Sequence, residues 1–111
     1  MMSKKNAEHY VWGQQCDGWF LEQSQERIII HERMPAGTSE VRHMHEKASQ
    51  FFFMLSGIAT MELDGENIQL HAHEGVTVLP GVPHQMRNDS EESIEFLVIS
   101  TPTTKGDRYP V

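Results

Sequence analysis

At 111 residues, with 38% hydrophobic and 23% charged residues, the chain is sized for one domain with a real hydrophobic core and has no room for a second. A net charge of -7, with nine Lys plus Arg spread singly, gives no basic stripe for nucleic acid, and no apolar run approaches a membrane span. Cys16 is the only cysteine, which rules out an internal disulfide framework or a thiolate metal cluster; the opening MMSKKNAEHY lacks the apolar stretch of a secretory signal, so a cytoplasmic location is expected.

The apolar segments are short, rich in Ile, Val and Phe, and separated by turn residues, which predicts an antiparallel all-β sandwich or barrel with no helix. Strands are expected at 19–21, 27–34, 40–44, 50–55, 59–63, 67–70, 76–79, 84–88 and 94–100. Residues 1–26 read as an N-terminal strand and arm region, 27–102 as the barrel and 103–111 as a tail, with residues 1–9 and 103–111 expected to be loose arms or packed late. In LDGE, Asp64-Gly65 suits the tip of a two-residue hairpin, where both central residues need positive φ. FFFML and FLVIS are apolar on both faces, so one face needs cover beyond the opposing sheet. A second copy of the chain would supply it, and a homodimer is expected.

The stretch RHMHEKASQFFFMLSG sets His43 and His45 one residue apart and brings Gln50 in as the next strand enters the core. Residues two apart share a strand face, so His43 and His45 converge. LPGVPHQMRN places Pro80, Gly81 and Pro83 in a tight turn before His84, which shares parity with Met86 and Asn88. Three imidazoles and one amide oxygen can thus meet inside a barrel, and imidazoles are donors for transition metals. Gln50 has a second reading, as a residue hydrogen-bonding a ligating imidazole. Glu46, the nearest carboxylate, follows His45 directly and points away from it. The similar HAH of His71 and His73 is a decoy, because Ile68, Leu70 and Ala72 take the apolar parity and send both histidines outward.

The two segments resemble the two cupin motifs. The first motif runs from Gly37 through His43, His45 and Gln50 to Gly57 with the family spacing, but carries Gln50 where the family usually has a carboxylate. The second matches from Gly81 through His84 to Asn88, with Gly75 two residues nearer to Gly81 than the pattern has it. The resemblance covers residues 28–100. It implies a double-stranded β-helix, the cupin jelly-roll barrel, often homodimeric, holding one divalent transition-metal ion (Zn, Mn, Fe or Ni) on His43, His45, Gln50 and His84. The His/His/Gln/His set is similar to that of cupins that open the rings of unsaturated uronates, of some polyketide-cyclase cupins and of uncharacterised bacterial cupins.

Phe52, Met54 and Met86 share parity with the ligands and are expected to line a small-molecule pocket, with plain core as the equal reading for Met54 and Met86. The leading expectation is a metal-dependent enzyme of isomerase, lyase or cyclase type, using Lewis-acid chemistry on an oxygen-chelating sugar acid or keto compound. A non-catalytic ligand-binding or sensor module is the alternative from another class, and a non-heme iron dioxygenase is a third reading. No acidic residue of the motifs faces the ligands, so the general base that proton transfer needs is missing from this reading. An ionisable group in the pocket would favour catalysis over binding.

Overall fold

Asp64 and Gly65 adopt φ of 47° and 94° and close a hairpin in which Leu63 pairs with Glu66, the two-residue turn expected from the sequence. Glu62, 8% exposed, fastens it by accepting from the Gly65 N–H at 2.7 Å and from Arg42 Nε at 2.6 Å. In the computed structural model, which describes residues 1–111, this hairpin joins β6 (Ala59–Leu63) to β7 (Glu66–Leu70). The other strands are β1 (Glu8–Trp12), β2 (Cys16–Gln23), β3 (Ile28–Met34), β4 (His43–Met44), β5 (Ser49–Ser56), β8 (Gly75–Val78), β9 (His84–Arg87), β10 (Ile94–Thr101) and β11 (Tyr109–Pro110).

All strand pairings are antiparallel. One sheet has the order β1-β2-β3-β10-β5-β8 and the other β11-β4-β9-β6-β7, the two-sheet arrangement of a jelly roll. Period-2 alternation decides which side chains meet between the sheets. On β10, Ile94, Phe96, Val98 and Ser100 are buried, while the residues between them are only partly so. On β5, Gln50, Phe52 and Met54 point inward, leaving Phe51, Phe53 and Leu55 on the outer face. The core joins Phe52, Met54, Met61, Met86, Ile94, Phe96 and Val98 with Cys16, Met34 and neighbouring residues.

Of the two expectations for the chain ends, loose or packed, the C-terminal segment and the chain from Glu8 on are packed, while residues 1–7 precede the first strand. β1 pairs with β2 from Glu8↔Phe20 to Trp12↔Cys16, and Trp12 packs against the core. The C-terminal segment is fixed by Asp107, whose carboxylate accepts three N–H groups, from Glu46, Lys47 and Ala48, at 2.8, 3.0 and 3.0 Å. Beyond it, Tyr109 and Pro110 pair with β4. A carboxylate facing three backbone donors is a strong local anchor, and this explains order in a polar tail that hydrophobic patterning does not register. His71 and His73 are exposed as expected, but by a different route: they lie in the turn after β7, where Ile68 and Ala72 are exposed as well and only Leu70 faces inward. No helix is long and apolar enough to cross a membrane.

Candidate metal centre

His43 on β4 pairs directly with His84 on β9, so the two imidazoles project side by side from one sheet. His45 follows at the end of β4, and Gln50 enters from β5 in the facing sheet. The ring centroids lie 4.5 Å apart for His43–His84, 4.9 Å for His43–His45 and 5.7 Å for His45–His84. All three residues are buried, and one nitrogen of each lies within 4.8 Å of the others.

Backbone carbonyls set the tautomers. His43 Nδ1 is 2.7 Å from Val41 O, His45 Nδ1 2.5 Å from Asp107 O and His84 Nδ1 3.0 Å from Val82 O. A carbonyl oxygen only accepts, so His43 and His45 carry the hydrogen on Nδ1 and present Nε2 as a lone pair; His84 has an oxygen at each nitrogen, and the shorter contact, to Val82 O, places its hydrogen on Nδ1 as well. Arg108 Nη2 lies 3.4 Å from the same His43 Nδ1, a contact between two donors rather than a hydrogen bond. Burial pushes His43 down to about 3 and also lowers His84 from its ordinary value, which keeps both rings neutral and able to ligate.

These lone pairs suit a cation. His45 Nε2 is buried with no hydrogen-bond partner. Gln50 Nε2 donates to Ser100 Oγ at 3.0 Å, which turns the amide so that Oε1 stands 3.2 Å from His84 Nε2. Acceptors gathered in a buried space repel one another unless a positive ion lies among them. The three-histidine cluster fits a single divalent transition-metal ion, and imidazole donors select this class over Mg or Ca.

The centre opens into a cavity of about 980 Å³ walled by both sheets, with Phe52 and Val98 among its apolar lining. Met54 and Met86, expected in this wall, lie instead in the sealed core at 0% exposure. Same-face residues step by about 7 Å along a strand; Met54 is therefore two steps from Gln50, beyond Phe52, and Met86 one step from His84 toward the core.

The cavity also holds Glu32 and Arg108, outside the two motif segments, and Glu40, a motif carboxyl between Gly37 and His43, with Tyr10 beside them. Glu32 had a legible signal. It shares parity on β3 with Ile28, Ile30 and Met34, which places a carboxyl on an inward face. Burial, reinforced by neighbouring Glu40, pushes Glu32 up to about 8. Burial also raises Glu40 to about 7, opposed by the Met86 N–H that its carboxyl accepts at 2.8 Å. Arg108 follows the Asp107 anchor, and nothing in its local sequence marks it.

An antiparallel two-sheet barrel with three converging imidazoles near its cavity defines a metal-binding jelly-roll protein. The Cupin domain family matches residues 30–100, and the chain belongs to that family. KdgF from Halomonas sp. superposes with a TM-score of 0.86 at 13% identity, over 96% of this chain and 97% of that one. Quercetin 2,3-dioxygenase from Bacillus subtilis is 35% identical over 63 residues, 57% of this chain and 19% of that enzyme. An uncharacterized protein of Methanocaldococcus jannaschii is 25% identical over 69 residues, 62% of this chain and 55% of that protein. The chain thus spans only about half, or less, of the curated relatives it matches.

Proposed function

We propose that the protein is a metal-dependent enzyme of isomerase, lyase or cyclase type acting on a small substrate that chelates through two oxygens, such as a sugar acid or keto compound. In this reading Gln50 Oε1 joins His43, His45 and His84 as a ligand. The carrying observation is the neutral donor set: three imidazoles and an amide oxygen leave the charge of the ion undiminished. When bound, such an ion supplies Lewis-acid stabilisation of negative charge developing on a substrate oxygen.

The chain's own residues supply the remaining requirements. Phe52 and Val98 give the cavity an apolar floor that excludes water from part of a bound molecule. Arg108 and Lys105 at the same cavity favour an anionic substrate group. Glu32 and Glu40 are the ionisable pocket groups that distinguish catalysis from simple binding.

A dioxygenase reading draws on the partial match to quercetin 2,3-dioxygenase. Against it, position 50 is an amide rather than the carboxylate usual at redox iron sites. A second copy of the chain is the partner that best fits the outer face of the six-stranded sheet, where Phe51 is 38% exposed beside Phe53, Leu97 and Ile99.

Calorimetry with oxalate, a non-reacting two-oxygen chelator, tests the reading. Zinc-loaded protein is expected to bind oxalate, and metal-free protein or His84→Ala is expected not to. Equal binding with and without zinc, or none with zinc present, overturns it.

A further inference from the structure

Tyr10, Gly18 and Glu32 lie in one row across three neighbouring strands, with Tyr10↔Gly18 on β1 and β2 and Gly18↔Glu32 on β2 and β3. A Cβ at Gly18 would sit 2.3 to 2.5 Å from Tyr10 ring and hydroxyl atoms. The glycine therefore clears a path for the phenol to cross the middle strand, and the Tyr10 hydroxyl reaches Glu32 Oε1 at 3.4 Å. Tyr10 and Glu32 of this row form, with Trp12, Glu40 and Arg108, a side chamber of about 110 Å³. The Trp12 indole Nε1 is buried without an acceptor. Two carboxyls, a phenol, a guanidinium and an indole thus surround a space too small for a substrate and continuous in lining with the metal cavity.

We propose that Glu32 is the proton-transfer residue of this cavity, with Glu40 as the neighbouring carboxyl that sets its basicity and Tyr10 as the donor that orients it. The assignment rests on the Lewis-acid reading above and supplies its missing base. Glu40 is tied to the Met86 N–H, whereas the one hydrogen bond of Glu32 is the long one to Tyr10, so Glu32 is the freer of the two. The groups facing it are Tyr10 from β1, Glu40 from the β3–β4 connection and Arg108 from the C-terminal segment. β2 and β10 present Gly18 and Phe96 at its register positions. Burial and the like charge of Glu40 raise its proton affinity, opposed by Tyr10 and Arg108, which makes it a stronger base than an exposed carboxylate.

The step conserves atoms and electrons. Ionised Glu32 takes a proton from the carbon beside a substrate carbonyl; the C–H electron pair becomes a C=C bond, and the carbonyl π pair moves onto its oxygen. The carboxyl then returns a proton to carbon, the C=C pair forms the new C–H bond, and the carbonyl is restored. No co-reactant is consumed.

The test is deuterium exchange at carbon in 2-oxobutanoate and dihydroxyacetone, followed by proton NMR in D2O with zinc-loaded protein. Exchange is expected to rise with pH to a plateau above about 8, the value that Glu32 reaches. Glu32→Gln, with zinc content unchanged, is expected to lose at least about 100-fold in rate, the low end of general-base contributions. Glu32→Asp is expected to recover part of it and serves as the second variant if the glutamine protein folds poorly. Glu40→Gln should lower the plateau rate, because Glu32 becomes a weaker base, and move the pH limb downward, a shift that a purely structural role would not produce. Carbon-13 titration of the Glu32 carboxyl should give the same midpoint and the same displacement in Glu40→Gln. Full exchange in Glu32→Gln, or a Glu32 midpoint near 4.5, overturns the assignment while leaving zinc-dependent oxalate binding intact. Absence of exchange in the wild type with both probes overturns it together with the enolising chemistry proposed above.

Discussion

Gln50 Oε1 and His84 Nε2 face each other across 3.2 Å, close enough for one ion to take both the amide oxygen and the imidazole lone pair. That proximity makes Gln50→Glu an informative substitution. The side-chain shape is kept and a carboxylate adds Coulomb attraction, so zinc is expected to bind at least as tightly by calorimetry. The added negative charge weakens the ion as a Lewis acid, and turnover or deuterium exchange should fall. A crystal structure of the zinc-loaded wild type checks the premise. Gln50 Oε1 more than about 3 Å from the ion, against the ~2.0 to 2.2 Å usual for oxygen on zinc, would place Gln50 outside the ligand set.

His43→Ala and His84→Ala are expected to abolish stoichiometric zinc in plasma emission analysis after gel filtration, because each removes one of three buried lone-pair donors. His71→Ala and His73→Ala should retain one ion per chain, since both residues are exposed in the turn after β7 and neither belongs to the buried three-histidine cluster. Metal loss in the second pair with retention in the first would reverse the assignment.

Asp107→Ala removes the acceptor of three N–H groups in the loop after His45 and loosens the carbonyl that orients the His45 ring. The expected costs are about 3 kcal/mol in unfolding free energy and roughly tenfold in zinc affinity. Denaturant titration and competition with a chromophoric chelator measure them separately. Asp107→Asn should recover part of both.

Glu32 and Glu40, raised to about 8 and about 7 from 4.5, make stability depend on pH in the sense opposite to a salt-bridged carboxylate. Between these values the unfolded chain has released protons that the folded chain keeps, so their stabilising contribution is fully present below about 4.5 and is lost as pH rises through 7 to 8. Zinc-free wild type is therefore expected to lose stability relative to Glu32→Gln between about pH 5 and pH 9, by at least ~1 kcal/mol or roughly 4 °C in Tm. Differential scanning calorimetry at both pH values checks the sign. An unchanged difference would mean that Glu32 ionises freely in the folded protein.

Phe51→Asp is expected to convert a dimer into a monomer in light scattering at micromolar concentration, with zinc content unaffected, because its side chain lies on the outer sheet face and the ligands on the inner one. A wild-type protein that is already monomeric would remove the proposed partner.

The parts of the fold legible in the sequence are those specified locally. Asp64-Gly65 needs only its own φ preferences, and alternation alone places Phe52 inside and Phe51 outside. His43, His45 and His84 were legible because strand parity and turn chemistry fall within two short segments. Glu32 was legible in principle: an inward carboxyl among Ile28, Ile30 and Met34 follows from the same alternation. Its meaning was not, since Tyr10 reaches it from another strand across Gly18 and Glu40 from a separate connection. Arg108 and the C-terminal pairing depend on Asp107 meeting backbone donors far away in sequence, a contact without a hydrophobic period to announce it. Met54 and Met86 show the converse: parity fixes the face of a strand, but depth along it depends on where the opposing sheet closes.

His45 and the carbonyl that orients it are 62 positions apart, which gives the centre an order of completion. A growing chain that has emerged as far as Ser100 already carries every imidazole and the amide of Gln50. The carbonyl that holds Nδ1 of His45 belongs to a residue still to come at that stage. The ligand set is therefore complete in sequence before the group that orients one of its rings, and it is the last strand, pairing with β4, that brings that group into place.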